Sequence, residues 1–258
     1  MNVRPSHALG LSLAGAQIAY GLDAPRPPWM TRAIVALYLT TSTVDAIEQR
    51  GARGAAVVAA AGGIGFGAEL LGVHTGKPFG PYDYSGQLGP KVAGVPLMAG
   101  AAWALLARPS RMTGRLAAGG RGRPAAVVAA AAGLTAWDVF LDPRMVREGY
   151  WNWPGGGRYE GIPATNYLGW LATGVAIFAA AELIDPADDP LAPATGSAVD
   201  GPERGGDGAL GLYAWTWIGE IIANVLLWKR PKVAVAGGLS MGLLAVPALL
   251  ARWRAGRR

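Results

Sequence analysis

Long apolar runs are the feature of this sequence that most constrains its fold. Polar or Gly/Pro-rich segments separate them, and they cover residues 8–22, 29–47, 55–73, 89–107, 124–141, 162–184, 210–228 and 233–250. An α-helix needs about 20 apolar residues to cross the hydrocarbon core of a bilayer. The pattern therefore predicts an all-α, polytopic transmembrane helix bundle with about 7–8 spans, a multi-pass protein of the cell membrane surrounded by membrane lipid.

The first apolar run has a second interpretation. It is short for a span, and Ala14, Gly15 and Ala16 within it resemble the small-residue cleavage site of a signal peptide. A cleaved leader therefore remains an alternative to a first membrane helix.

Composition and charge agree with a bilayer environment. The chain is 52% hydrophobic and 16% charged, whereas soluble domains average about 25% charged residues. Its net charge is +6, but Lys and Arg stand in short runs between the apolar segments. That distribution is typical of loops that set membrane topology, so no nucleic acid is expected as a partner. The most basic run, residues 108–123, contains no acid and predicts a cytoplasmic loop.

The residue inventory excludes several kinds of site. The chain has no Cys, and its two histidines are His7 and His74, so it offers no disulfide, no thiolate nucleophile and no multi-histidine metal centre. Gly63, Gly65 and Ala68 match a dinucleotide fingerprint, but they stand inside an apolar window of membrane-spanning length. Small residues there favour close helix packing instead. We expect neither a metal nor a cofactor.

The apolar runs divide the chain into three parts. Residues 1–184 form a membrane bundle with two Gly/Pro/aromatic loops, at 74–90 and 142–165. Residues 185–208 are rich in Pro, Ala, Gly and Asp and predict a disordered linker that buries little. Residues 209–258 contain the last two membrane helices and a basic tail.

Glu69, Asp138 and Glu220 are the carboxylates that interrupt the apolar runs, whereas Asp45 and Glu182 stand where their runs end. A charged side chain inside a bilayer costs about 2.5 kcal/mol or more, so each acid is a candidate functional residue. The alternative is a hydrogen bond to a neighbouring helix. Because two spans separate the two motif loops, the loops share one face of the membrane, and Glu69 and Asp138 lie at similar depth.

Two long motifs carry a family resemblance. With TGKPFGPYDYSGQLGPKVAGVP and, downstream, DPRMVREGYWNWPGGGRYEGIPATNYLGW, the chain resembles the integral-membrane carotenoid biosynthesis family that contains the CruF-type carotenoid 1,2-hydratases. The resemblance covers about residues 30–230. It implies an enzyme that adds water to the terminal double bond of the acyclic (psi) end group of a lycopene-like or monocyclic carotenoid, without a cofactor. It predicts no particular oligomeric state.

Hydration of an isolated trisubstituted alkene requires a proton donor, a surface that tolerates a tertiary cation, and a held water. Burial favours the neutral form of a carboxylic acid, so an intramembrane Glu69 or Asp138 is suited to keep and deliver a proton. We rank Glu69 first as donor, Asp138 second and Glu220 third. The full set of catalytic candidates is Glu69, Asp138, Asp83, Asp142 and Glu220. The substrate-binding candidates are His74, Lys77, Phe79, Tyr82, Tyr84, Trp137, Asn152, Trp151, Trp153, Tyr159, Asn166 and Asn224.

Other functions use similar sequence features. An isomerase or cyclase acting on a prenyl or carotenoid end group needs the same acid but excludes water, and its product gains no mass. A transporter of a lipophilic substrate uses broken helices at the two Gly/Pro loops. A purely structural membrane protein needs none of this chemistry.

Overall fold

The computed structural model describes residues 4–22, 27–186, 188–191 and 205–257. Its helices are α1 (Pro5–Leu22), α2 (Pro28–Thr75), α3 (Leu97–Leu105), α4 (Ala107–Ala118), α5 (Arg123–Arg147), α6 (Ala164–Ile184), α7 (Asp207–Ile222) and α8 (Pro231–Ala255), with a π-helical turn at Ala223–Leu227. Its strands have two residues each: β1 (Asp83–Tyr84), β2 (Lys91–Val92), β3 (Val95–Pro96) and β4 (Trp151–Asn152). The predicted all-α class is confirmed.

Five helices in the described part of the chain are long and apolar enough to cross a membrane. They are α2, α5, α6, α7 with its π-helical turn, and α8. The predicted count of seven or eight spans is not confirmed. Runs 29–47 and 55–73 both belong to α2, and the first half of run 89–107 forms loop and β-strand rather than helix.

We expect the protein to remain in the membrane fraction after washes with high salt and alkaline carbonate. Those washes remove peripheral proteins that are held by charge, but they do not extract proteins whose helices are long and apolar enough to cross the membrane. Immunoblots of the pellet and the supernatant provide the measurement. Recovery of the protein in the supernatant without detergent would contradict a membrane-spanning fold.

Helix α2 doubles back on itself at Gly51. This residue has φ 56° and ψ −136°, a backbone conformation that residues other than glycine rarely adopt. Beyond it the two halves approach closely, since a Cβ atom on Gly54 would lie 2.1 Å from the carbonyl oxygen of Ala46. The first and last turns of α2 therefore reach the same end of the bundle.

The two motif loops meet at that end. Strands β1 and β4 pair antiparallel, with Asp83 opposite Asn152 and Tyr84 opposite Trp151. Tyr150 also donates a 2.7 Å hydrogen bond to Thr31 in the first turn of α2. The prediction that both loops lie on one face is confirmed by this pairing.

The basic segment 108–123 corrects a prediction. Most of it forms α4 rather than a cytoplasmic loop, and Arg108 and Arg111 are 3% and 2% exposed. Arg108 donates hydrogen bonds of 2.7 Å to both Asp45 and Asp188, and Arg111 bonds Asp188 at 3.1 Å. The loop prediction fails because the acids that neutralise these arginines come from distant parts of the sequence.

The ends of the predicted linker 185–208 belong to the same charge cluster. Residues 187 and 192–204 lie outside the described residues, so the prediction of disorder there stays a prediction. At the start of the segment, however, Asp185 and Asp188 are buried. Arg50 hydrogen-bonds both oxygens of Asp185, at 2.6 and 2.8 Å, and these hydrogen bonds hold the pKa of Asp185 below its ordinary value. The expectation that this segment buries little is wrong at these two carboxylates.

Candidate active site

Glu69 lies at the centre of a hydrogen-bond network beneath the motif loops. It is 5% exposed. One oxygen accepts hydrogen bonds from the hydroxyls of Tyr82 and Tyr84, the latter at 2.8 Å. The other oxygen accepts the indole N–H of Trp103 at 2.9 Å. Three donors therefore converge on the two oxygens of this carboxyl group.

The two tyrosines keep their protons in this arrangement. Burial raises the pKa of Tyr82 and of Tyr84 above the ordinary value, and the neighbouring Glu69 raises both further. Both phenols therefore act as hydrogen-bond donors to Glu69 at neutral pH. Loop 74–90 supplies both of them, which explains why it folds back over the last turns of α2.

Asp138 and Asp142 form a second carboxyl site on α5. They are four residues apart and so lie on one face of the helix, and they are 0% and 2% exposed. The side-chain amide of Asn166 on α6 donates to Oδ2 of both, at 2.8 Å to Asp138. Trp151 donates its indole N–H to Oδ1 of Asp142 at 3.0 Å. Oδ1 of Asp138 has no hydrogen-bond partner among the described residues.

A cavity of about 460 Å³ connects these two carboxyl sites. Glu69, Asp142 and Asn166 line it, whereas Asp138 does not and is linked to it through Asn166. The two aspartates interact with each other, and Glu69 lies close enough to exert an electrostatic effect on both. Glu69 and an aspartate pair that follows it by 69 and 73 positions therefore come together beside one cavity.

Aromatic rings form most of the cavity wall near the acids. Several of the predicted substrate-binding residues line it: Phe79, Tyr82, Tyr84, Trp137, Trp151 and Trp153. Two tryptophans that the sequence reasoning missed, Trp103 and Trp170, stack with their ring centroids 3.9 Å apart. They stand in helices α3 and α6 outside the motif loops, where a single Trp is indistinguishable from ordinary core or interface packing.

Residues 30–199 match the model of the family described as "Carotenoid biosynthesis protein". The chain belongs to this family. The match includes both motif loops, both carboxyl sites and the stacked tryptophans.

Part of this chain is also similar to part of a hydratase. It is the bisanhydrobacterioruberin hydratase of Haloarcula japonica, 33% identical over 112 residues. The aligned region makes up 42% of this chain and 38% of that protein, so it spans well under half of the relative's length. No solved structure matches the chain.

Glu220 lines the same cavity but has a different environment. Arg144 lies 3.5 Å from its carboxylate, and the Arg144 guanidinium is positioned over the rings of Tyr20 and Trp228. The buried Asn224 donates to Glu220 at 3.3 Å. Glu220 is therefore an ion-paired carboxylate, and it lies outside the residues that the family model matches.

The structure places other candidates away from the acids. Asp83 and Asn152 are exposed where β1 pairs with β4. His74 is exposed in the last turn of α2, and Lys77 is exposed just after it. Tyr159 is half-buried and donates to the carbonyl oxygen of Val139 at 3.0 Å. None of these five lines the cavity. The sequence could not separate them from the true lining residues because turns and sites use the same polar residue types.

Proposed function

We propose that this chain is an integral-membrane carotenoid hydratase that adds water to the terminal double bond of an acyclic (psi) end group. The observation that carries the proposal is the Asp138–Asp142 pair, held by one amide at the edge of an aromatic cavity inside a membrane bundle. The family membership and the partial similarity to a carotenoid hydratase support the substrate class. The membrane is taken to be the cell membrane, which the chain crosses several times.

The aspartate pair is better suited than Glu69 to donate the proton. Two carboxyl groups in contact cannot both ionise in a low-dielectric site, so such a pair retains one proton between them. Oδ1 of Asp138 has no other hydrogen-bond partner among the described residues and so is available to share that proton with Asp142. Asp142 lines the cavity and is the member that presents the proton to substrate.

Glu69 is better suited to remain ionised. Its two oxygens accept three hydrogen bonds, from Tyr82, Tyr84 and Trp103. Donors arranged in this way stabilise the carboxylate relative to the neutral acid. We assign Glu69 as the anion that stabilises the cation and orients water, so the geometry favours the second sequence candidate over the first as donor.

The reaction then proceeds in two balanced steps. The aspartate pair gives its proton to the less substituted carbon of the terminal double bond, which forms a C–H bond and leaves a tertiary carbocation. Water attacks that cation through its oxygen, and the proton that it releases returns to the aspartate pair, either directly or through Glu69. The net change is the addition of one water, and the enzyme regains its starting protonation state without a cofactor.

The cavity wall is suited to the intermediate. A carbocation is attracted to the faces of aromatic rings, and Trp103 and Trp170 present a stacked pair beside the acids. The negative charges of Glu69 and of the aspartate pair add electrostatic stabilisation that is already in place before the reaction. The same wall excludes bulk water, which limits capture of the cation to a water held at the site.

Expression in a host that accumulates an acyclic carotenoid tests the proposed function. We expect new pigments that carry one added water on an end group, measured by chromatography and mass spectrometry. A host that expresses an inactive variant serves as the control. Pigments of unchanged mass but altered retention would instead indicate an isomerase or cyclase, and unchanged pigments with counterflow in proteoliposomes would indicate a transporter.

A further inference from the structure

The cavity reaches the outer surface of the bundle at one side. Among its lining residues, those that the structure describes as exposed are all large and apolar: Ile18, Leu22, Ile218, Ile222 and Leu227. Their exposed fractions range from 39% for Leu227 to 70% for Leu22. Every one of them lies on α1 or on α7 and its π-helical turn.

The rim of this opening is suited to lipid rather than to water. Helix α7 meets the length and composition of a membrane span, so its exposed apolar side chains face the hydrocarbon region. A water-filled entrance is lined by polar side chains, whereas the five exposed lining residues here are aliphatic. A ligand that enters here must therefore arrive from the bilayer.

The local backbone is consistent with an opening at this position. The helix continues from α7 as a π-helical turn at Ala223–Leu227, and such turns are frequent at functional sites. Across the gap, a Cβ atom on Gly21 would lie 2.8 Å from a methyl group of Leu227. α1 and the π-helical turn therefore approach closely at Gly21, and Trp215 of α7 also donates a 2.7 Å hydrogen bond to Gln17 of α1. The gap can widen by movement of these side chains.

The size of the cavity gives a reason for such an opening. Pockets of about 300–1,000 Å³ enclose drug-sized ligands, and this cavity of about 460 Å³ lies in the lower part of that range. A carotenoid is a polyene much longer than a drug-sized molecule. Only its end group fits beside the acids, and the remainder must extend out of the cavity.

We propose that the gap between α1 and α7 is a lateral portal through which the carotenoid end group enters from the bilayer while its polyene chain remains in lipid. This inference rests on the proposed function for the identity of the ligand. It assigns a role to residues 18–22 and 218–227, which lie outside the part of the chain that the family model matches.

The test compares two double variants reconstituted in lipid nanodiscs. Ile18→Trp with Ile222→Trp narrows the portal, and Leu239→Trp with Leu243→Trp makes the same change on α8. Leu239 and Leu243 are 67% and 76% exposed and do not line the cavity. All four positions face outward, so the larger apolar ring is compatible with insertion in each case, and monodispersity in size-exclusion chromatography confirms this.

Two substrates separate entry from chemistry. One is a long acyclic carotenoid, and the other is a short acyclic terpene with the same end group, which has no polyene chain to accommodate. We expect the portal variant to lower kcat/KM for the long substrate by about tenfold or more relative to the α8 variant, and to lower it much less for the short substrate, which leaves no chain in the opening. Equal values for the long substrate in both variants would overturn the portal.

A binding measurement keeps the portal distinct from the hydratase assignment. Carotenoids quench tryptophan fluorescence, and Trp170 stands in the cavity. The chain has ten tryptophans and each double variant adds two, so the rate of entry is taken from the part of the quenching that is lost when Trp170 is replaced by Phe. We expect slower quenching in the portal variant than in the α8 variant even if no water is added. Slower quenching without hydration by the unmodified protein would reject the hydratase and keep the portal, whereas identical quenching rates would reject the portal.

Discussion

Replacing Asp138 with Asn should lower the rate of hydration by about 10²–10⁴-fold, the usual contribution of a general acid. The new amide can donate to Asp142 in place of the shared proton while its oxygen still accepts from Asn166. Asp142 then stays ionised and has no proton to deliver. Because every hydrogen bond of the pair has a replacement, the variant should fold and insert normally. Product mass per amount of purified protein provides the measurement.

Deuterium incorporation identifies which step each acid supports. In D2O, a carbocation that loses a proton instead of capturing water returns substrate that carries deuterium. Glu69→Gln should slow hydration but still incorporate deuterium, because the proton donor is intact and the anion is lost. Asp138→Asn should slow hydration and should also lose deuterium incorporation, because no proton is delivered to the double bond. Asp83→Asn is the matched control, since Asp83 is exposed at β1 and should behave as the unmodified protein. Deuterium incorporation by Asp138→Asn but not by Glu69→Gln would transfer the donor role to Glu69.

Replacing Arg108 with Met should destabilise the protein by about 3–5 kcal/mol, the cost of leaving a buried charge without its partner. Arg108 is 3% exposed, and its loss leaves Asp45, which is 2% exposed, without the guanidinium that it bonds at 2.7 Å. Asp188 keeps Arg111, so the effect falls mainly on Asp45. Thermal unfolding in detergent or nanodiscs provides the measurement.

The control for Arg108 comes from the same basic segment. Arg121 is exposed. Arg121→Met removes an identical charge without leaving a buried carboxylate unpaired, so it should change stability by less than about 0.5 kcal/mol. Adding Asp45→Asn to Arg108→Met should recover part of the lost stability, because it removes the orphaned charge. If Arg108→Met is as stable as Arg121→Met, the buried cluster contributes nothing to stability.

The sequence was sufficient to single out the acids of the candidate site, but not to assign which of them donates the proton. Glu69 and Asp138 stand out because a carboxylate in an apolar run is costly, and their common depth follows from the two spans between the motif loops. The assignment of Glu69 as donor depended on its position alone. The structure adds that Tyr82, Tyr84 and Trp103 all donate to it, and hydrogen-bond direction has no signature in sequence.

The errors in the fold prediction have a common physical cause. Apolar windows and charge runs are local properties, whereas the structure depends on partners that are distant in sequence. Arg108 appears solvated until Asp45 and Asp188 are brought beside it. Run 29–47 and run 55–73 appear to need a loop between them, but the backbone at Gly51 reverses within one residue. The cavity wall likewise combines residues of α1 and α7, which are about 200 positions apart in the sequence.

The charge cluster around Arg108 also has a consequence for biogenesis. Asp45 precedes Arg108 by 63 residues, and Arg108 precedes Asp188 by 80. At ribosomal rates of about 5–20 residues per second, several seconds of synthesis separate the first charge from its last partner. Asp45 has a partner only once Arg108 has been made, because burying either charge alone is costly. The cluster is complete only after residue 188 has emerged, so we expect its final packing to be a late event in the assembly of the bundle.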